Sequence, residues 1–293
     1  MKDSNFQVLL YYKYTHIDDP QKLMEEQRQL CQRLGLKGRI LIANEGLNGT
    51  VEGTKENTEK YCQELLKDPR FPYIHIKKSV GTGNAFPKLR VKVRDEIVTT
   101  HLGKDDLDPT QVTGKYLMAE QLHEWIKSKR EFYIVDMRND YEQKSGYFAG
   151  SLLSGFDEFR DLPQILPKLA HLKGKTIVTV CTGGVRCEKA SGFLVKNGFS
   201  DVYQLYGGIV TYMEKYPNQD FKGKLYVFDN RLVMGFNTGS AEHEVVGRCM
   251  LCKTPSDNYV NCKNDLCHLH FICCENCLDG KGNAYCGART CSW

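Results

Sequence analysis

The sequence predicts a multidomain chain of mixed α/β and α+β class, built from three segments of different character. Residues up to about 105 read as strands and helices in the order β-α-β-β-α-β. Residues 113–220 alternate short buried strands with helices, and residues 221–293 hold nine of the thirteen cysteines, all between Cys249 and Cys291. At 293 residues the chain is long for one domain and comfortable for two or three. With 41% apolar and 26% charged residues it can bury real cores beneath an ordinary soluble surface.

In the first segment, residues 6–14 (FQVLLYYKY) are apolar and aromatic with strand character. Asp18 and Asp19 before Pro20 mark a helix start, and Gly35 ends that helix after Leu34. Residues 38–43 (GRILIA) form a second strand, and GLNGTVEG reads as a turn into a third. A second helix runs over 54–67 and closes at Asp68-Pro69, and residues 73–78 and 88–93 alternate like strands. This is the split β-α-β order of ferredoxin-like domains.

In the second segment a helix over 119–128 carries Leu122, Trp125 and Ile126 on one side. Strands over 132–135 and 176–180 end at Asp136 and Cys181. A helix over 188–197 is closed by Gly198, and a further strand covers 202–205. Such alternation predicts a parallel sheet with helices on its faces, and chemistry at the carboxyl ends of its strands. The third segment opens with a hairpin, KLYVFDNRLVMGF, turning at Asp229-Asn230, and then becomes a small cysteine-rich region.

No run approaches the roughly 20 apolar residues that span a bilayer, so no membrane association is expected. The N-terminus lacks a secretory pattern, and a cytoplasmic location is expected. So many cysteines in such a chain point to metal binding or catalysis rather than to disulfides. The net charge of +4 is mild and does not by itself imply nucleic acid.

The run TIVTV-CTGGVR-CEKAS places Cys181 after a buried strand and before a helix. Thr182, Gly183 and Gly184 permit a tight turn whose N–H groups face the sulfur, and the helix start adds positive potential. Arg186 adds a fixed cation. Such surroundings stabilise a thiolate nucleophile, against the plainer alternative of a buried core cysteine. Cys187 can be a packing residue or a resolving thiol.

Lys77, Lys78, Lys88, Arg90, Lys92 and Arg94 form a basic stretch. The last four alternate with Leu89, Val91 and Val93, so as a strand they share one face. That face suits a phosphate backbone, or is simply solvated. Tyr11, Tyr12, Tyr14 and Phe86 can stack on unpaired bases or pack a core. Residues 44–50 (NEGLNGT) are either a strand connection or a substrate-contacting loop. In the tail, Cys249-x2-Cys252 and Cys274-x2-Cys277 have the spacing of a four-thiolate zinc site; an iron–sulfur cluster and metal-free thiols are the alternatives.

Residues from about 119 to 217 resemble a rhodanese domain in the stretches IVDMRNDYEQKSGYFAG, CTGGVRCEKA and YQLYGGIVTY. The resemblance implies that Cys181 is a sulfur-carrying nucleophile. Four residues separate Cys181 from Arg186, as in rhodaneses, whereas the related cell-cycle phosphatases have five, which favours sulfur-sized chemistry. Asp136, Arg138 and Glu142 match the family's DxR…E pattern of structural pairing, and Tyr147 departs from a histidine common there.

The resemblance extends to most of the chain. GRILIANEGLNGTVEG, FPKLRVKVRDEIVT, CTGGVRCEKAS and the cysteine-rich tail together resemble the rhodanese-containing tRNA wobble-uridine hydroxylases. That family implies tRNA as substrate, molecular oxygen as cosubstrate and 5-hydroxyuridine as product. No nucleotide cofactor motif is present, and no two-histidine-one-carboxylate iron site is evident. The competing expectations are a sulfurtransferase passing a persulfide from Cys181, and an RNA-binding module with a dormant rhodanese fold. Oligomeric state, tRNA choice and electron source are open at this level.

Overall fold

In the computed structural model, which describes residues 4–287, the chain opens with β1 (Phe6–Tyr14), α1 (Pro20–Arg33), β2 (Lys37–Ala43), β3 (Gly46–Thr54), α2 (Lys55–Lys67), β4 (Lys77–Val80) and β5 (Leu89–Val93). The Asp19 carboxylate accepts the Lys22 N–H and Thr54 accepts the Asn57 N–H, so both helices begin at the polar residues that cap them. The sheet order is β4-β1-β3-β2-β5. The first four strands make the expected ferredoxin-like sheet, and β5 extends it in parallel with β2.

One face of this sheet is covered. Leu9, Tyr11, Ile40, Ile42, Leu47, Val51 and Val91 pack on Leu23, Cys31, Tyr61 and Leu65 of the two helices. Strand alternation sends Leu10, Tyr12, Arg39, Leu41, Asn48 and Thr50 to the opposite face. Two expectations are corrected here. The strand expected over 73–78 begins at Lys77, because Tyr73 adopts φ +57° and is almost fully exposed. Residues 46–50 are strand rather than loop, leaving Asn44-Glu45 as a two-residue connection.

The second half continues with β6 (Lys115–Leu117), α3 (Ala119–Lys127), β7 (Tyr133–Asp136), α4 (Asp140–Gln143), β8 (Gly146–Phe148) and β9 (Leu152–Leu153). Then follow α5 (Ile165–Leu169), β10 (Thr176–Val180), α6 (Val185–Lys196), β11 (Asp201–Leu205) and α7 (Gly208–Lys215). The sheet β6-β11-β10-β7-β9 is parallel throughout, with an apolar core on each face. β10 is central, which puts the end of that strand at the middle of the sheet's carboxyl edge.

β12 (Phe221–Gly223) pairs with β8, and β13 (Leu225–Tyr226) with β14 (Val233–Met234) forms the expected hairpin around Asp229-Asn230. The tail adds one small hairpin, β15 (Tyr259–Asn261) with β16 (His270–Ile272). Among the described residues no helix is long and apolar enough to cross a membrane.

Candidate active site

Cys181 is fully buried at the end of β10. The turn after it is shorter than expected: α6 starts at Val185 rather than 188, so Arg186 and Cys187 already lie in its first turn. Gly184, at φ +105°, makes that entry, and its N–H donates to Cys181 Sγ at 3.3 Å. From the other side α7 clasps the loop, with the Ile209 N–H on the Cys181 carbonyl (2.9 Å) and the Val210 N–H on that of Thr182 (3.1 Å). A Cβ on Gly208, itself at φ +73°, would come within 2.7 Å of the Cys181 oxygen, so this close approach requires glycine.

Burial pushes the Cys181 thiol up. The Cys187 thiol, the Arg186 guanidinium and the N–H groups of Cys187 and Gly184 outweigh it and bring the value down to about 6. Cys187, equally buried, is pushed well above the ordinary thiol range by its burial and by the neighbouring sulfur, so it stays protonated and donates. Cys187 is thus a protonated thiol beside the Cys181 sulfur.

Arg186 does not point at the sulfur alone. Its guanidinium grips both oxygens of the buried Glu142, with Nη2 to Oε2 at 2.8 Å, and Nη2 also donates to Thr182 Oγ1 at 3.1 Å. Burial raises the Glu142 carboxyl, but Arg186 and Arg138 hold it below the usual range. Arg138 and Asp136 form a second, fully buried ion pair, and Arg138 also donates to the Gly146 carbonyl at 2.7 Å. The DxR…E residues therefore form a frame that fixes the loop's cation rather than a reacting group.

The sulfur's loop faces the open side of the N-terminal sheet. Between them lies a cleft of about 750 Å³, lined by Tyr12, Arg39, Asn48 and Thr50 on the sheet and by Cys181, Thr182 and Val185 on the loop. The two halves are bolted together beside it. Tyr12 Oη donates to Glu188 at 2.9 Å, and the fully buried Lys189 ammonium meets Glu45 (2.8 Å), Asp106 (3.0 Å) and Glu96 (3.2 Å). Glu45 also accepts the Ile97 N–H (2.7 Å), and Asn48 donates to the Ile97 carbonyl (3.0 Å). The stretches NEGLNGT, RDEIVT and CEKAS, far apart in the chain, are thus pieces of one interface.

Lys88, Arg90, Lys92 and Arg94 are all exposed along the β5 edge, with Leu89 and Val93 half-buried and Val91 buried between them. Arg90 sits beside Arg39 in the β2–β5 register, so the row of cations runs from the open edge into the cleft. Lys77 does not belong to that row. It is buried, its Nζ lies 4.8 Å from the Tyr12 ring centroid, and it has no hydrogen-bond partner among the described residues. Burial pushes its ammonium down to about 8, against the pull of Cys181 and Glu188. Lys78 is exposed and paired with Glu59. Of the aromatics considered for base stacking, Tyr12 lines the cleft; Tyr11 hydrogen-bonds Tyr61 in the helix-covered core, and Tyr14 and Phe86 are buried. Arg39 escaped the sequence reading, while Asn48 and Thr50 entered it as part of a possible substrate-contacting loop and Lys77 as part of the basic stretch; strand parity within β3 puts Asn48 and Thr50 on one face.

In the tail, the sulfurs of Cys249, Cys252, Cys274 and Cys277 lie within 4.8 Å of one another, a cluster able to hold a metal ion. The hairpin above it reaches the cleft wall: Tyr259 donates to the carbonyl of Tyr141, and Tyr141 lines the cleft.

Comparison with known proteins gives three matched families, a UPF0176 acylphosphatase like domain over residues 6–97, a rhodanese-like domain over 118–215 and a rhodanase C-terminal region over 222–292. A Bacillus licheniformis protein called tRNA uridine(34) hydroxylase is 46% identical over 275 residues, covering 93% of this chain and 84% of the relative. One of the same name from Cytophaga hutchinsonii is 44% identical over 277 residues, covering 94% and 86%. A solved rhodanese-related protein from Thermoplasma volcanium is 24% identical, covers 35% of this chain and 93% of its own, and has a TM-score of 0.29.

Proposed function

The chain belongs to the tRNA uridine(34) hydroxylase family, and from that premise we propose that Cys181 is the group through which it hydroxylates the wobble uridine of tRNA. One observation carries the assignment: a thiol poised as a thiolate near neutral pH stands at the wall of a cleft large enough for a nucleobase. Tyr12 offers that base a ring to stack on, and Asn48 and Thr50 offer hydrogen bonds to its edge. Arg186 holds the loop and its positive potential in place.

In this reading C5 of the uridine receives the hydroxyl, and molecular oxygen is the oxidant by family resemblance. Lys88, Arg90, Lys92 and Arg94, with Arg39 leading inward, neutralise the phosphates that flank the bound nucleotide. Residues 1–105 then act as the RNA-binding unit, 113–220 as the catalytic unit and 221–293 as a brace. Zinc is the metal we assign to Cys249, Cys252, Cys274 and Cys277, since thiolates at tetrahedral spacing suit it. When bound it crosslinks a region with few apolar residues to bury, a structural role. A tRNA substrate supports a cytoplasmic location.

The four-residue span between Cys181 and Arg186 also favours a second reading, a sulfurtransferase carrying a persulfide on Cys181. Nucleoside mass spectrometry of tRNA from cells lacking the protein decides the first. Hydroxylated wobble uridine should vanish, return with wild type and stay absent with Cys181→Ser; unchanged uridines in the deletion reject it. Brisk thiocyanate release from thiosulfate and cyanide would favour the second.

A further inference from the structure

Eight of the nine tail cysteines fall into four sequence pairs whose spacing alternates. Cys249 and Cys252 are separated by two residues, Cys262 and Cys267 by four, Cys274 and Cys277 by two, and Cys286 and Cys291 by four. The first and third pairs converge on the cluster described above. The second pair converges elsewhere: the sulfurs of Cys262, Cys267 and Cys286 also lie within 4.8 Å of one another, with Cys267 and Cys286 at 3.5 Å. Thiolates on a tetrahedral zinc at about 2.3 Å sit roughly 3.8 Å apart, so both spacings suit a metal, and both far exceed a bonded disulfide.

The fold gives the second cluster a reason to exist. Cys262 directly follows β15 and Cys267 lies in the connection to β16, so this cluster sits at the turn end of the hairpin, whereas Cys274 follows β16 at the open end. Cys286 is held to the turn by its own N–H on Cys262 Sγ (3.5 Å) and by the Lys263 N–H on the Ala284 carbonyl (2.9 Å). A two-stranded hairpin alone is marginal in water. The core beneath this one consists largely of cysteine, with Phe271 and Ala284. A crosslink at one end would leave the other held by a few hydrogen bonds.

We propose that the tail binds two zinc ions in interleaved fashion, the second held by Cys262, Cys267 and Cys286. Seven of the nine tail cysteines are then ligands. Cys273 is buried and belongs to neither cluster, and Cys291 lies outside the described residues. The inference deepens the zinc assignment of the tail, and its test separates the two sites.

The experiment uses the full chain purified without chelator. Native mass spectrometry and elemental analysis count zinc per chain, and iodoacetamide footprinting under native conditions shows which thiols the metal shields. Two zinc ions per chain and protection of both sets are expected. Cys262→Ser and Cys267→Ser should each lower the count from two to one while Cys249, Cys252, Cys274 and Cys277 remain shielded. A single zinc with Cys262, Cys267 and Cys286 freely alkylated overturns the second site and leaves the first standing. A single zinc shielding only the second set overturns the first instead. Two zinc ions retained in Cys262→Ser would overturn Cys262 as a ligand. Should a variant fail to fold, the wild-type count and footprint decide by themselves.

Discussion

The loop at Cys181 and the tail at Cys249 show the same side chain put to opposite uses. At Cys181 one sulfur is enclosed by a rigid parallel sheet, with N–H groups, a thiol donor and a framed arginine around it. In the tail, sulfurs face one another across a region whose core is mainly sulfur. A thiolate stabilised by hydrogen bonds keeps its lone pairs available for reaction, while thiolates that converge share theirs with a metal. The difference lies in what surrounds the sulfur, and substitutions can test each set of surroundings.

The largest effect is expected from exchanging the two roles' defects. Cys181→Ser should abolish wobble hydroxylation while the chain still folds, as circular dichroism would show. Cys249→Ser should release zinc and make residues beyond 221 protease-sensitive, lowering activity through Tyr141 at the cleft wall. Residual activity in Cys181→Ser would break the comparison. Next in size is the frame. Glu142→Ala strands the buried Arg186 without its anion, and removing one member of such a pair costs roughly 3–5 kcal/mol. A urea titration should show a lower midpoint at an unchanged slope, and an unshifted midpoint would mean the frame is dispensable.

The pH dependence is subtler. Cys181 has its value lowered in the folded chain to about 6, so the thiolate and its stabilising contacts exist above that pH and are lost as pH falls through it. Alkylation of Cys181 should therefore rise through about pH 6, whereas an ordinary thiol would rise near 8.5. Removing the buried cation by Lys77→Met should move that profile upward. The smallest effects belong to the basic row: Arg90→Ala or Lys92→Ala should weaken tRNA binding modestly and lower the salt slope by about 1 each. No change in slope would leave those residues as a solvated edge.

Much of this was legible in the chain. Asp19-Pro20 and Thr54 announced their helices because capping is local chemistry. The strand–Gly-Gly–helix run announced the loop because a turn of that kind leaves few ways to place Cys181. The β5 parity held for the same reason, since exposure in a strand alternates every residue. The extent of α6 was missed by three residues, because Val185 is held by Tyr14 and Arg186 by Glu142, partners that lie elsewhere in the sequence.

What the sequence alone determined is the inventory: an activated cysteine loop, an alternating basic strand, and thiols paired at ligand spacing, each set by residues close together in the chain. Only the tertiary structure decided that the basic sheet lies open toward Cys181, that Glu45, Glu96 and Asp106 converge on Lys189 to close that cleft, and that Lys77 is buried beside Tyr12 rather than offered to a phosphate. Those are long-range pairings, fixed by how two sheets pack, and periodicity along one strand carries no information about which face another domain will cover.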